Sequence, residues 1–63
     1  MQERAVFHTP ERAVSAARKR ASTVDMPIYT EARPIHSRRQ LLGYEAWYRY
    51  ANDIMQPVYE NEV

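Results

Sequence analysis

Residues 37–56, SRRQLLGYEAWYRYANDIMQ, have the most regular pattern of polar and apolar side chains in this chain. At about 100° per residue, the apolar side chains fall on one half of a helical wheel and most of the charged side chains on the other. Ser37 followed by Gln40 matches a capping box, a pattern that begins helices. Pro57 is expected to end or kink such a helix. The pattern therefore predicts an amphipathic helix over residues 37–56.

The apolar half of this predicted helix is rich in aromatic residues. Tyr and Trp are enriched at protein interfaces, and large aromatic side chains in desolvated pockets carry much of the binding energy there. We therefore expect this face to contact another chain. The predicted protein-interface residues are Tyr44, Trp47, Tyr48, Ala51, Ile54, Met55 and Tyr59.

Towards the N-terminus the chain divides into shorter segments. Pro27 and Pro34 disfavour helix, so residues 23–36 are predicted to be an extended strap. Before the strap, Thr9 is a suitable N-cap and Pro10 suits the first helical position, which predicts a short helix over residues 9–22. An arm (1–8) and a tail (57–63) complete the prediction of a single small chain of the mostly α class.

The predicted core is small. Leu, Ile, Val and Phe together number 11 of 63 residues, below the share of roughly 20% expected of a chain that folds alone. The chain has no cysteine, which excludes disulfides and thiolate zinc sites. We therefore expect little autonomous core, and a free chain that stays largely unfolded until a partner covers its apolar face.

The residues offer little for catalysis. His8 and His36 are far apart in the sequence and show no metal-ligand spacing. No glycine-rich loop is present to hold phosphates, and His36 and Ser37 are adjacent, a spacing that rarely lets a base face its nucleophile. The sequence therefore predicts a protein that is not an enzyme and that needs no metal or cofactor.

The positive charge lies in the first part of the chain. Residues 1–39 carry eight basic and four acidic side chains, whereas residues 40–63 hold one basic and four acidic ones. Six basic residues are candidates for contacts with an acidic partner or with phosphates, although the aromatic residues that could stack on bases lie mostly in the acidic part. They are Arg12, Arg18, Lys19, Arg20, Arg38 and Arg39.

No apolar run is long enough to span a membrane, and the N-terminus lacks the apolar region of a secretory signal. The expected location is therefore intracellular or within a virion.

These patterns predict a small structural subunit that binds larger protein subunits, or further copies of itself, and stabilises their assembly. The assembly that we expect first is a virus particle, such as a phage capsid, portal or tail junction. One alternative is a small nucleic-acid-associated protein, either ribosome-bound or DNA-binding. Another is a small protein inhibitor or regulator of a host enzyme.

Overall fold

The computed structural model describes residues 2–22 and 28–63. In chain order they form helix α1 (Pro10–Ala21), strands β1 (Ile28–Ser37), β2 (Gln40–Tyr50) and β3 (Gln56–Pro57), and a 3₁₀ turn (Glu60–Glu62). The strands form an antiparallel sheet in the order β1-β2-β3. The fold is therefore mostly β, and the prediction of a mostly α chain was wrong.

The error lies in the stretch predicted as the amphipathic helix 37–56, most of which is β2. Tyr48 is buried while its neighbours Trp47 and Arg49 are not. This alternation has the period of two that is typical of a strand with one buried face. Tyr and Trp also favour strands. The helical wheel grouped residues by hydrophobicity and did not weigh this propensity.

A tight turn at Arg38 and Arg39 joins β1 to β2. Both residues have positive φ angles, 50° and 67°, as in the type I′ turn that matches the twist of a two-residue hairpin. Ser37 and Gln40 pair across this turn as the last residue of one strand and the first of the next, so Ser37 is not a helix cap. Asn and Gly usually occupy such turns. Because Arg38 and Arg39 stand here instead, the sequence did not predict the hairpin.

Replacing both turn residues with the pair that type I′ turns prefer, Arg38→Asn with Arg39→Gly, should stabilise the hairpin by about 1 kcal/mol, because Asn and Gly adopt positive φ at lower cost. Thermal melting followed by circular dichroism measures the effect. Arg38→Lys with Arg39→Lys is the matched control, since it keeps the charge and the unfavourable conformation, and its melting temperature should stay near that of the unchanged chain. Equal melting temperatures for both pairs of substitutions would contradict the assignment of strain to this turn.

Helix α1 is present where the sequence predicted a helix over residues 9–22. The hydroxyl oxygen of Thr9 accepts a hydrogen bond from the backbone N–H of Arg12 at 3.1 Å, and Pro10 is the first helical residue. Ala13, Ala17 and Ala21 are fully buried along one side of the helix. Because these side chains are only methyl groups, the helix lies close to β1 and β2.

The core between the helix and the sheet is built from small side chains. Besides the three helix alanines, Ala5, Ala46, Tyr48 and Val58 are buried in it. The ring of Tyr48 packs edge-on against Tyr50, with 5.9 Å between the ring centroids. Burial raises the pKa of the Tyr48 phenol above its usual value. Most of the buried residues are alanine, so alanine fills the space that larger aliphatic side chains occupy in most domains.

Of the strap predicted over residues 23–36, residues 28–36 are extended within β1, as expected, and the remainder lies outside the described residues. Pro34 is compatible with β1 because this strand is at the edge of the sheet.

The arm and the tail, predicted as separate segments, extend the sheet together. Phe7 exchanges two backbone hydrogen bonds of 2.9 Å with Tyr44 of β2. Further along, Val58 lies between Ala5 and Ala46, accepting a hydrogen bond from the first and donating one to the second. Both ends of the described chain are therefore held to the side of β2 that faces away from β1.

An ion pair connects the tail to helix α1. Arg20 lies 2.7 Å from a carboxylate oxygen of Glu62, whose other oxygen accepts a hydrogen bond from the backbone N–H of Tyr59 at 3.0 Å. This backbone donor, together with Arg20, holds the pKa of Glu62 below its usual value. The carboxylate therefore supports this attachment at neutral pH and loses that role in acid, as the pH falls through its lowered pKa.

Candidate functional site

The sheet has one face against helix α1 and one face turned away from it. Ala46 and Tyr48 are buried beneath the helix, so their neighbours along β2 point to the opposite side. We call this side the outer face. It consists of Tyr29, Glu31 and Arg33 from β1, paired with Arg49, Trp47 and Glu45 from β2.

Trp47 is at the centre of the outer face. The guanidinium carbon of Arg33 lies 4.0 Å from the centroid of its ring, and that of Arg4 lies 4.9 Å away. The indole N–H donates a hydrogen bond to Glu45 at 3.1 Å. Cation–π contacts of this kind contribute about 0.5–1 kcal/mol at exposed sites. The ring is therefore held in one orientation while it remains partly exposed.

The two guanidinium groups beside Trp47 each have a carboxylate partner. Arg33 is 2.6 Å from Glu31 on the same strand, and Arg4 is 3.5 Å from Glu45. Arg4 reaches this position from the arm, which pairs with Tyr59 of the tail. The arm, β1 and β2 thus surround the Trp47 ring with two guanidinium groups and two carboxylates, whose charges balance.

A second aromatic contact lies beside the first. The guanidinium of Arg49 is 5.5 Å from the centroid of the Tyr29 ring, and Tyr29 itself is 50% exposed. Together with Arg4 of the arm, the outer face therefore presents two aromatic rings, three guanidinium groups and two carboxylates. These groups can hold a partner by stacking, by ion pairing and by hydrogen bonding.

The structure separates the predicted interface residues. Trp47 lies on the outer face, whereas Tyr48 is buried on the helix side and Tyr44 packs against the core there. Ala51 and Ile54 follow β2 and are exposed, while Met55 and Tyr59 are half-buried. These residues were grouped by helical periodicity, and in the strand they do not share one face.

The six predicted basic residues also fall into separate groups. Arg12, Arg18 and Lys19 are exposed on helix α1, and Arg20 pairs with Glu62. Arg38 and Arg39 form the hairpin turn. The arginines that do approach aromatic rings are others: Arg4, Arg33 and Arg49.

The sequence analysis did not identify most of the outer face, although the residues that β2 contributes to it could have been predicted. Reading residues 44–50 at a period of two would have placed Glu45, Trp47 and Arg49 together. Tyr29, Glu31 and Arg33 would have followed only from the register of the hairpin, and Arg4 only from the path of the arm.

In the described ranges 2–22 and 28–63, no helix is long and apolar enough to cross a membrane. The same ranges hold no group of three or more His, Asp or Glu side chains placed to bind a metal ion. Comparison with protein families, with characterised proteins and with solved structures found no match for the chain.

Proposed function

We propose that this protein is a small non-enzymatic subunit that docks on a larger protein assembly through its outer face and stabilises that assembly. The observation that supports the proposal is the partly exposed Trp47, held by Arg33 and Arg4 on the sheet face that is turned away from helix α1. Trp, Tyr and Arg are the residue types that most often dominate the energy of protein interfaces. A virus particle, such as a phage capsid, portal or tail junction, is the context that we propose for this role.

The charge arrangement favours a protein partner. Arg33 and Arg4 already have carboxylate partners within the chain, so covering them does not leave isolated charges buried against the partner. Their guanidinium groups also hold Trp47 in place before binding, which reduces the entropy lost when the partner arrives. A preorganised and nearly neutral aromatic surface is suited to a protein contact.

A nucleic-acid partner is the second candidate, and one observation favours it. The sequence alone placed the basic and aromatic residues apart, but the structure brings Arg33 and Arg49 beside Trp47 and Tyr29. Aromatic rings flanked by arginine can stack on bases while the cations contact phosphates. Against this, Arg33 is within 2.6 Å of Glu31, whose carboxylate would oppose a phosphate.

The test is co-purification from the source of the protein, with a tag placed after the exposed Val63 and the complexes separated by size. We expect the unchanged chain to elute with a protein complex of high mass and to stay there after nuclease treatment. Trp47→Ala should lower this retention by at least about tenfold, as expected for an interface residue worth about 2 kcal/mol or more. Tyr29→Ala should also lower it.

Lys19→Ala is the matched control, because Lys19 is exposed on the helix and away from the outer face. Its retention should equal that of the unchanged chain, and circular dichroism should show that all variants keep the fold. Release of the chain by nuclease, or binding to DNA that collapses between about 50 and 200 mM salt, would favour the nucleic-acid candidate. Equal retention of Trp47→Ala and Lys19→Ala would contradict the role of the outer face.

A further inference from the structure

Strand β1 has an edge that is open to a further strand. It pairs with β2 on one side, and within residues 2–22 and 28–63 no backbone group hydrogen-bonds to its other side. An unpaired edge of this length is a ready template for a strand from another chain. Which strand can pair there depends on the backbone groups and side chains that this edge presents.

The backbone groups on the open edge follow from the hydrogen bonds of β2. Tyr44 directs both its N–H and its carbonyl oxygen to Phe7, and Ala46 directs its carbonyl oxygen to Val58, so these residues do not bond to β1. Their partners across the sheet are Pro34 and Ala32, whose backbone groups therefore point outwards. Thr30, two residues before Ala32, does the same, while Pro34 offers only its carbonyl oxygen.

The side chains along this edge complement those of a second copy running antiparallel. With Ala32 opposite Ala32, the residues that face each other have numbers that add to 64. Glu31 then lies opposite Arg33 of the partner subunit, and Arg33 opposite Glu31 of the partner subunit. Tyr29 lies opposite Ile35 of the partner subunit on the same face. Opposite charges and aromatic–β-branched pairs in directly facing positions each stabilise a sheet.

Neighbouring registers lack this complementarity. Moving the symmetry axis by one residue in either direction places Glu31 opposite Glu31, or Arg33 opposite Arg33, and like charges in facing positions are destabilising. The register through Ala32 also joins groups that point outwards. The two Ala32 residues exchange both of their hydrogen bonds, and each Thr30 N–H meets the Pro34 carbonyl oxygen of the partner subunit.

We infer that the protein forms a symmetric dimer in which the β1 edges of two copies pair antiparallel with Ala32 on the two-fold axis. The two sheets become continuous, both helices lie on one side, and the two outer faces join on the other. Such an interface is isologous, the commonest kind in soluble oligomers. This inference does not rest on the proposed function, because the dimer is a property of the chain alone.

Sedimentation of the purified chain over a range of concentrations tests the dimer through charge reversal. We expect the unchanged chain to dimerise, and Glu31→Arg or Arg33→Glu to raise the dimer dissociation constant at least about tenfold, because each places two pairs of like charges in contact. Mixing the two variants in equal amounts should restore dimers, since every facing pair in the mixed dimer is again of opposite charge. Combining both changes in one chain should restore them too.

The mixing result separates an interface from damage within the chain. Each single reversal also disturbs the ion pair between Glu31 and Arg33 and the stacking on Trp47, but a defect inside one copy is not repaired by a second, differently altered copy. A monomeric unchanged chain, or variants that fail to recover on mixing, would overturn the inference.

The register can be tested separately by disulfide cross-linking. The chain contains no cysteine, so a single introduced cysteine is its only thiol. Ala32→Cys places two thiols opposite each other with Cα atoms about 5.5 Å apart, within the range that a disulfide bridges. Mild oxidation should therefore give a covalent dimer. Thr30→Cys is the matched control on the same face and edge, since its two copies would be about 13 Å apart along the strands. Cross-linking of both variants to the same extent would rule out this register.

Discussion

Replacing Gly43 with alanine should destabilise the fold by about 3 kcal/mol, from backbone strain and steric overlap together. Gly43 has a φ angle of 155°, in a region that residues with a side chain rarely adopt. A Cβ atom at this position would lie 2.6 Å from a methyl carbon of Val6 and 2.8 Å from the carbonyl oxygen of Phe7. That oxygen accepts the hydrogen bond from Tyr44, so it cannot move away without breaking the pairing of the arm with β2.

Urea unfolding followed by tryptophan fluorescence measures this cost. A chain of this size has a total stability of roughly 3–5 kcal/mol at most, so Gly43→Ala should be largely unfolded at room temperature. Adding Val6→Ala to the variant removes one of the two overlaps. Because the backbone contact and the φ angle remain, this second change should recover only a minor part of the loss. A Gly43→Ala variant that lost less than about 1 kcal/mol would contradict the close approach of the arm.

The second large effect is expected from Ala17→Leu. Ala17 is fully buried where helix α1 meets the sheet, and the added carbon atoms have no space unless the helix moves away. Overpacking of this kind typically costs about 1–3 kcal/mol, and we expect the upper part of that range because Ala17 and Ala46 in the same core are both fully buried. Thermal melting at fixed protein concentration gives the measurement.

Ser15→Leu on the same helix is the matched control. Ser15 is exposed, so the same leucine there should change stability by no more than about 0.5 kcal/mol. The comparison isolates the packing of the helix from its intrinsic propensity, because Leu is a good helix former at both positions. Similar melting temperatures for the two variants would show that the alanine side of the helix does not pack as closely as described.

The sequence predicted the elements that depend on local interactions. Thr9 and Pro10 mark the beginning of helix α1 through a cap hydrogen bond and a fixed φ angle, both of which act within one turn. Pro34, with the strand formers Ile28 and Tyr29, indicated an extended segment. These signals need no information from distant parts of the chain, and the structure agrees with them in the described residues.

The prediction failed where two periodicities competed. Over residues 41–59, helical spacing collected the apolar residues on one side, but the alternation over residues 44–50 fitted a strand as well. The turn that decides between them contains Arg38 and Arg39, which pattern rules do not associate with a hairpin. Leu42 made the strand harder to recognise from the sequence. The register shifts between Ile35 and His36, so Leu42 has no facing residue in β1 and interrupts the regular pairing of the two strands.

The part of the candidate site that lies outside β2 could not be predicted, for a different reason. Trp47 acquires its surroundings from the arm through Arg4 and from β1 through Arg33, and neither is a neighbour in sequence. A surface of this kind exists only after the register of the hairpin and the path of the arm are both fixed. Composition could indicate that Trp, Tyr and Arg are available for an interface, but not which of them meet.

The joining of the two chain ends beside β2 also determines how quickly this protein can fold. The amide of Glu60 donates to the carbonyl oxygen of Glu3 at 2.7 Å, which closes a loop of nearly the whole chain. Contacts so distant in sequence give a high contact order, and the loop-closure entropy is lost before those contacts contribute. A small protein with these ends is therefore expected to fold in milliseconds or longer, in the range of all-β domains and not of helical bundles.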